Sequence, residues 1–423
     1  CKSIWFGDVL MSITSTTKHK VRGTSEVTNL GYQRPSDWVT VPAMGSTEVA
    51  YFVVAVDDVS HNKVNISFDH WEISDTFDVD WGDGTTSTNV NQSAGGTVHD
   101  YDYSTLSSTV TSEGFKTALI TVTPSSGNTG TFRTLDIAKG GLVDREFWRV
   151  SNFLEVHCNL PDIERFYQAS NSTKHRRMRY INVKSWDLFE VAIGSYMSSL
   201  EFVDIPWQPT SNTITTVAHC FAFCHNLKRA PYFDTSSVTD ASEMFINCAS
   251  LNDIPDYDMS SATDLELMFA GCESLEAIPN LKLGSATTMS QFADGATSLK
   301  VIPKLDTSTV TNMYAAFKDT AITEFPNLDV GLVTNFQSTW HNSKIKTLPE
   351  LNFTTSQADY AYAFSNCKEL AYLPDSLGNI NPSNVYGMFE YAQNLQKVPV
   401  FTLTNAASCG RMFYNTYALL VLP

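Results

Sequence analysis

From residue 206 onward the hydrophobic and polar positions fall into a frame that returns every 23 to 25 residues. Prolines mark it: Pro206, Pro231, Pro255, Pro279, Pro303, Pro326, Pro349, Pro374, Pro399 and Pro423. Four residues before each proline from Pro231 on stands an aliphatic residue: Leu227, Leu251, Leu275, Leu299, Ile322, Ile345, Leu370, Leu395 and Leu419. Nine to eleven residues before runs an aromatic column of Phe221, Phe245, Phe269, Phe292, Phe317, Trp340, Phe364, Phe389 and Phe413. One repeat cannot bury such a set alone, because its apolar neighbours lie only in the repeats on either side. Stacking closes the core. With neighbours at the separation of paired strands, nine repeats make a rod on the order of 40 Å long.

The positions between the columns predict how each repeat turns. Asp-Thr-Ser at 234–236 and 306–308, and Asp-Met-Ser at 258–260, place short acceptors beside backbone N–H groups two or three residues on. Each proline ends a strand-like step without needing a ladder donor. Each repeat therefore reads as a short strand, a turn, and a helical or 3₁₀ turn carrying the aromatic residue. The period implies a mainly β, stacked-coil architecture, most like a leucine-rich-repeat solenoid of ~24-residue coils. Upstream the pattern shifts to period two. YFVVAVDD, FDVDWGDGTTS and GFKTALITVTP read as strands, the second entering a Gly-Asp-Gly turn, although YFVVAVDD is more continuously apolar than alternation predicts.

Three resemblances follow. SSVTDASEMFINCASLNDIP and TSTVTNMYAAF are similar to the leucine-rich repeat of bacterial surface proteins of the BspA type and of related mycoplasma lipoprotein repeats, over residues 216–423. VDWGDG with VHDYDY and a final alternating strand resembles a PKD-type immunoglobulin-like β-sandwich, over residues 47–125. RPSDWVTVPAM, then the sandwich, then the repeats, resembles virion appendage proteins of tailed phages. The resemblance implies an N-terminal arm or anchor segment at 1–46. Residues 126–215 read as irregular early coils that cap the solenoid. The implied function is a structural virion appendage or fibre protein that mediates host-surface attachment or appendage assembly by binding. Its implied partners are other virion structural proteins through the N-terminal region, and a host-surface glycan or protein, with a homo-oligomer as a further option. The alternative is a bacterial cell-surface adhesin or lipoprotein, which could carry a lipid on Cys1, although Trp5 and Phe6 replace the usual polar tether. A surface-polysaccharide depolymerase is the least favoured reading.

Composition narrows the options. A formal charge of -17 argues against nucleic acid as a partner. No apolar run is long enough to span a bilayer, and no signal-peptide pattern is present. The chain opens on Cys1 and stops at Pro423 within a repeat, so neither end is expected to be the natural one. HCFAFCH at 219–225 suggests zinc, but Cys224, Cys248, Cys272 and Cys367 all fall seven residues before a proline, as a column of buried thiols would. Cys224, Cys248 and Cys272 are expected to be reduced and metal-free. Asp78, Asp80 and Asp83 lack the spacing and the later Glu of a hand-type calcium loop, and read first as turn caps. No motif for a catalytic nucleophile, a metalloprotease or a nucleotide cofactor occurs, so no enzyme, cofactor or metal is expected. The candidate ligand-facing aromatics are Tyr314, Trp340, Tyr360, Tyr362 and Tyr386.

Overall fold

The computed structural model describes residues 32–58, 62–69, 76–91, 97–125, 134–136, 152–160, 165–167, 177–184, 196–205, 214–353 and 357–420. Most of the expected 1–46 arm, Cys1, Pro206 and Pro423 lie outside them. The strands among them are β1 (Val49–Val56), β2 (Lys63–Asp69), β3 (Thr76–Asp80), β4 (Thr86–Asn91), β5 (Thr97–Asp100) and β6 (Lys116–Pro124). They continue with β7 (Thr134–Asp136), β8 (Phe153–Asn159), β9 (Arg165–Tyr167), β10 (Tyr180–Val183) and β11 (Phe202–Asp204). The architecture is mainly β, and the one helix among the described residues is a 3₁₀ turn at Asp375–Asn379.

One sheet has the order β11-β10-β8-β1-β6-β3-β4, and a second has β5-β2-β7-β9. Strand β1 lies between β6 and β8, antiparallel to both. Its Ala50, Phe52, Val54 and Val56 join the main core, where Val64 and Ile66 of β2 also pack. Its Val53 and Ala55 face the other way, into a cluster with Trp38, Phe115 and Leu154. Both faces of β1 are covered, and this accounts for its unbroken apolar run. Trp38, from the RPSDWVTVPAM segment, carries the Arg179 guanidinium 5.1 Å from its ring. Just before that segment stands Tyr32, whose hydroxyl donates at 2.7 Å to the fully buried carboxylate of Glu155.

The WGDG turn joins the two sheets. Gly82 has φ 75°, and a Cβ there would lie 2.3 Å from the Leu119 carbonyl oxygen, so only glycine fits. Trp81 is buried, and the His99 ring stacks on it at 4.7 Å, with Nε2 2.7 Å from Asp83 Oδ2. The Tyr101 hydroxyl donates to the Trp81 carbonyl at 2.7 Å. His99 lies in β5, the edge strand of the second sheet, and Trp81 follows β3 of the first, so the separated motifs VDWGDG and HDY are one packing unit.

Beyond β1 the sheet turns parallel. β8, β10 and β11 pair in parallel, and the ladder continues as Lys228 N–H donates to the Glu201 carbonyl and Asp253 N–H to that of Lys228. Isolated parallel bridges then link one repeat to the next. One row runs Thr216, Asp240, Asp264, Thr288, Asn312, Asn335, Asp359 and Asn384 without a gap. A second passes through Arg229–Asp253, Ala277–Val301 and Glu324–Thr347–Tyr372–Lys397.

Within this frame Leu227, Leu251, Leu275, Leu299, Leu370 and Leu395 are buried, as are Phe245, Phe269, Phe317, Phe364 and Phe389. Phe413 and Leu419 are only partly buried. The ring column is ordered by the repeat: Phe221–Phe245, Phe245–Phe269, Trp340–Phe364, Phe364–Phe389 and Phe389–Phe413 stack within 10° of parallel.

Two expectations need correction. The aromatic segment is not helical. Residues two before and two after the ring have positive φ, as at Glu243 and Asn247 around Phe245, and alternate N–H groups point to the next repeat. Glu243, Phe245 and Asn247 donate to Glu266, Met268 and Ala270. Only the N–H groups between them, of Met244, Ile246 and Cys248, bond carbonyls three residues back within the repeat, so turn bonds alternate with bonds between repeats and no continuous helix forms. Phe292, moreover, does not stand in the aromatic column. Phe269 N–H donates to Phe292 O and Ala293 N–H to Ala316 O, which places Phe292 level with Met268 and Ala293 level with Phe269. The large and small residues have changed places, and Phe292 meets Phe269 and Phe317 edge-on, at 83° and 75°.

Candidate functional site

The five aromatics singled out by sequence do not form one surface. Trp340 and Tyr360 are fully buried, so neither offers a ring to a ligand. Trp340 belongs to the ring column, and Tyr360 stacks on Phe336 at 4.7 Å. Burial pushes the Tyr360 hydroxyl's pKa up, and that hydroxyl has no hydrogen-bond partner among the described residues. Tyr314, Tyr362 and Tyr386 are half-buried. Tyr362 and Tyr386 meet edge-on at 5.4 Å, each covering a glycine of the following repeat, Gly387 and Gly410. Arg411 lies close by, 4.9 Å from the Tyr414 ring and 2.6 Å from Glu390. Tyr362 and Tyr386 thus sit in a small aromatic and charged patch at the C-terminal repeats.

The other tempting clusters are architectural. Cys220 and Cys224 point into the core, whereas His219 is outside, 3.1 Å from Glu243, and His225 is exposed. The four side chains cannot converge. Burial pushes the thiols of Cys272 and Cys367 up to about 12. Asp80 and Asp83 accept from the N–H groups of Gly82 and Thr85, which is the turn-capping role, whereas Asp78 accepts across the strand pair from Asn89 and from the Ser125 hydroxyl. No group of three or more metal-ligating side chains comes together among the described residues.

A more concave feature lies along the middle repeats, and sequence reading did not single it out. Its floor is the second row of left-handed residues: Asn247, Gly271, Gly295, Asp319, Asn342 and Asn366. Asn, Asp and Gly tolerate this backbone best. Where glycine fills the row no side chain projects, and a groove of about 850 Å³ opens. It is lined by Glu273, Asp294 and Asp319 toward one end and by Lys344, Lys368 and Glu369 toward the other. Asn366 donates to Asn342, and Asn342 donates to Asp319 at 2.6 Å. Lys318 bridges Asp294, at 3.1 Å, and Asp319, at 3.2 Å. Burial raises the Asp294 pKa despite this pairing, and burial lowers that of His341. The signal available in sequence was the Gly271–Gly295 pair at one repeat's spacing. It is visible only once the frame is aligned residue by residue.

No curated protein matches the chain. Residues 194–304 and 276–376 match a family described as a mycoplasma protein of unknown function, DUF285, and this is what the repeat region is similar to.

Proposed function

We propose that the chain is a structural, non-enzymatic protein that works by binding, as a virion appendage that attaches to a host surface or helps to assemble the appendage. In this reading residues 47–125 form a PKD-like immunoglobulin sandwich, and residues 216–423 form a solenoid of BspA type, joined by early coils at 126–215. The observation that carries it is the unbroken bridge row from Thr216 to Asn384. Two residues beyond each member of the row stands a position that changes from repeat to repeat: Ala218, Ser242, Glu266, Ser290, Tyr314, Gln337, Ala361 and Tyr386. Ser290 and Ala361 are buried and the others half-buried, so the larger side chains, such as Tyr314 and Tyr386, are the ones that reach the surface of the fixed frame. Partners would be other virion proteins at the N-terminal region and a glycan or protein of the host surface.

A bacterial cell-surface adhesin is the second reading, favoured by the similarity of residues 194–376 to a mycoplasma family. Purified, fluorescently labelled chain should bind bacterial cells saturably. The genes beside its own separate the two readings: capsid, portal and tail genes favour the virion.

A further inference from the structure

We infer that the groove between Glu273 and Lys368 binds a hydroxyl-rich, uncharged carbohydrate strand lying along the direction of the repeats. The inference rests on the attachment reading and names its ligand and its place. The groove's volume, about 850 Å³, suits a ligand of several rings. The Asn247 amide packs against Gly271, but Gly295 leaves the floor bare, so a ligand can approach the main chain there.

The lining chooses the class. It mixes carboxylates (Glu273, Asp294, Asp319, Glu369), amides (Asn247, Asn342, Asn366) and hydroxyls with the ammonium groups of Lys344 and Lys368. Sugar hydroxyls both donate and accept, and so match every one of these groups. A polyanion would meet four carboxylates against two ammonium groups. A peptide partner needs apolar pockets for its anchoring side chains. The groove offers only Ile246, Leu267 and Ala270, from the two repeats at one end. The relay from Asn366 through Asn342 to Asp319 holds the amide planes before any ligand arrives, which lowers the ordering cost of binding. Polar groups that recur once per repeat suit a ligand that also repeats.

The test applies the purified chain to immobilised neutral oligosaccharides, to sulfated and uronate polymers, and to a peptide array. Two variants accompany it, Thr297→Trp, which fills the groove from an exposed position, and Glu273→Gln, which removes an exposed carboxylate. Retention on neutral oligosaccharides, weakened about tenfold or more by each variant at unchanged melting temperature, is expected. The assignment is overturned by retention only on anionic polymers or peptides, by no retention at all, or by neutral-glycan binding that Thr297→Trp leaves intact. Cell attachment is measured in parallel. If cells are bound equally well by Thr297→Trp, attachment stands and the groove assignment falls. If neutral glycans are bound through the groove but no cell is, the groove stands and the attachment reading falls.

Discussion

Cys248 donates its thiol to the carbonyl of Phe221, at 3.0 Å, across the boundary between two repeats. Cys272 does the same to Phe245 at 3.2 Å and Cys367 to Trp340 at 2.9 Å, while Thr416 donates to Phe389 at 2.9 Å. The thiol column is therefore a set of donors aimed at the carbonyls of the ring column, and more than small filling. The Phe221 carbonyl also accepts from the Cys224 N–H, so Cys248→Ala should cost about 0.5–1.5 kcal/mol, the net worth of one hydrogen bond. Denaturant unfolding measures this, and an unchanged midpoint would contradict it.

The same burial fixes the chemistry of the thiols. Cys272 and Cys367 are raised from 9.0 to about 12, so each favours the folded state while neutral. That contribution is fully present below pH 9 and is lost as pH rises toward 12. At pH 8, alkylation followed by peptide mapping should modify the exposed Cys409 and leave Cys248, Cys272 and Cys367 intact until denaturant is added.

Tyr360 gives a prediction of opposite sign. Its ring is wholly buried and its hydroxyl has no partner among the described residues. Tyr360→Phe should keep the stacking on Phe336 and either leave stability unchanged or raise it by about 1–3 kcal/mol. Tyr360→Ser should instead cost about 3–5 kcal/mol, as a large core truncation does.

The exchange at Phe292 and Ala293 is testable as a pair. Ala293→Phe alone should overpack the core, at about 1–3 kcal/mol. Phe292→Met with Ala293→Phe would restore the neighbouring Met-Phe order, and should cost less than the two single changes added together. Additive single effects would mean that the shifted register is wrong.

Much of the repeat frame was legible because its period, prolines and aliphatic column are set by burial alone. Leu275 needed no structure to be placed in the core. Phe292 was misplaced because counting from Pro303 ignores which backbone groups bond the next repeat. Trp340 and Tyr360 were read as outward-facing because aromatics suit both a core and a binding face, and only neighbours such as Phe364 and Phe336 decide. The groove was not legible, since it arises where side chains are missing, at Gly271 and Gly295. The cover over the second face of β1 was hidden for a different reason. It comes from Trp38 and Leu154, residues distant in sequence from the strand.

The central claim is that a fixed frame presents exchangeable side chains to a cell surface. Its most direct measurement is saturable binding of the purified chain to a panel of bacteria, compared with the double variant Tyr362→Ser, Tyr386→Ser. Both tyrosines are half-buried, so the double change should lower the melting temperature by only a few degrees, at about 0.5–1 kcal/mol for each site. Saturable binding to at least one strain, weakened in the double variant while its fold persists, is the predicted result. A folded wild-type chain that binds none of the strains, while particles or cells still need it for assembly, would contradict the account.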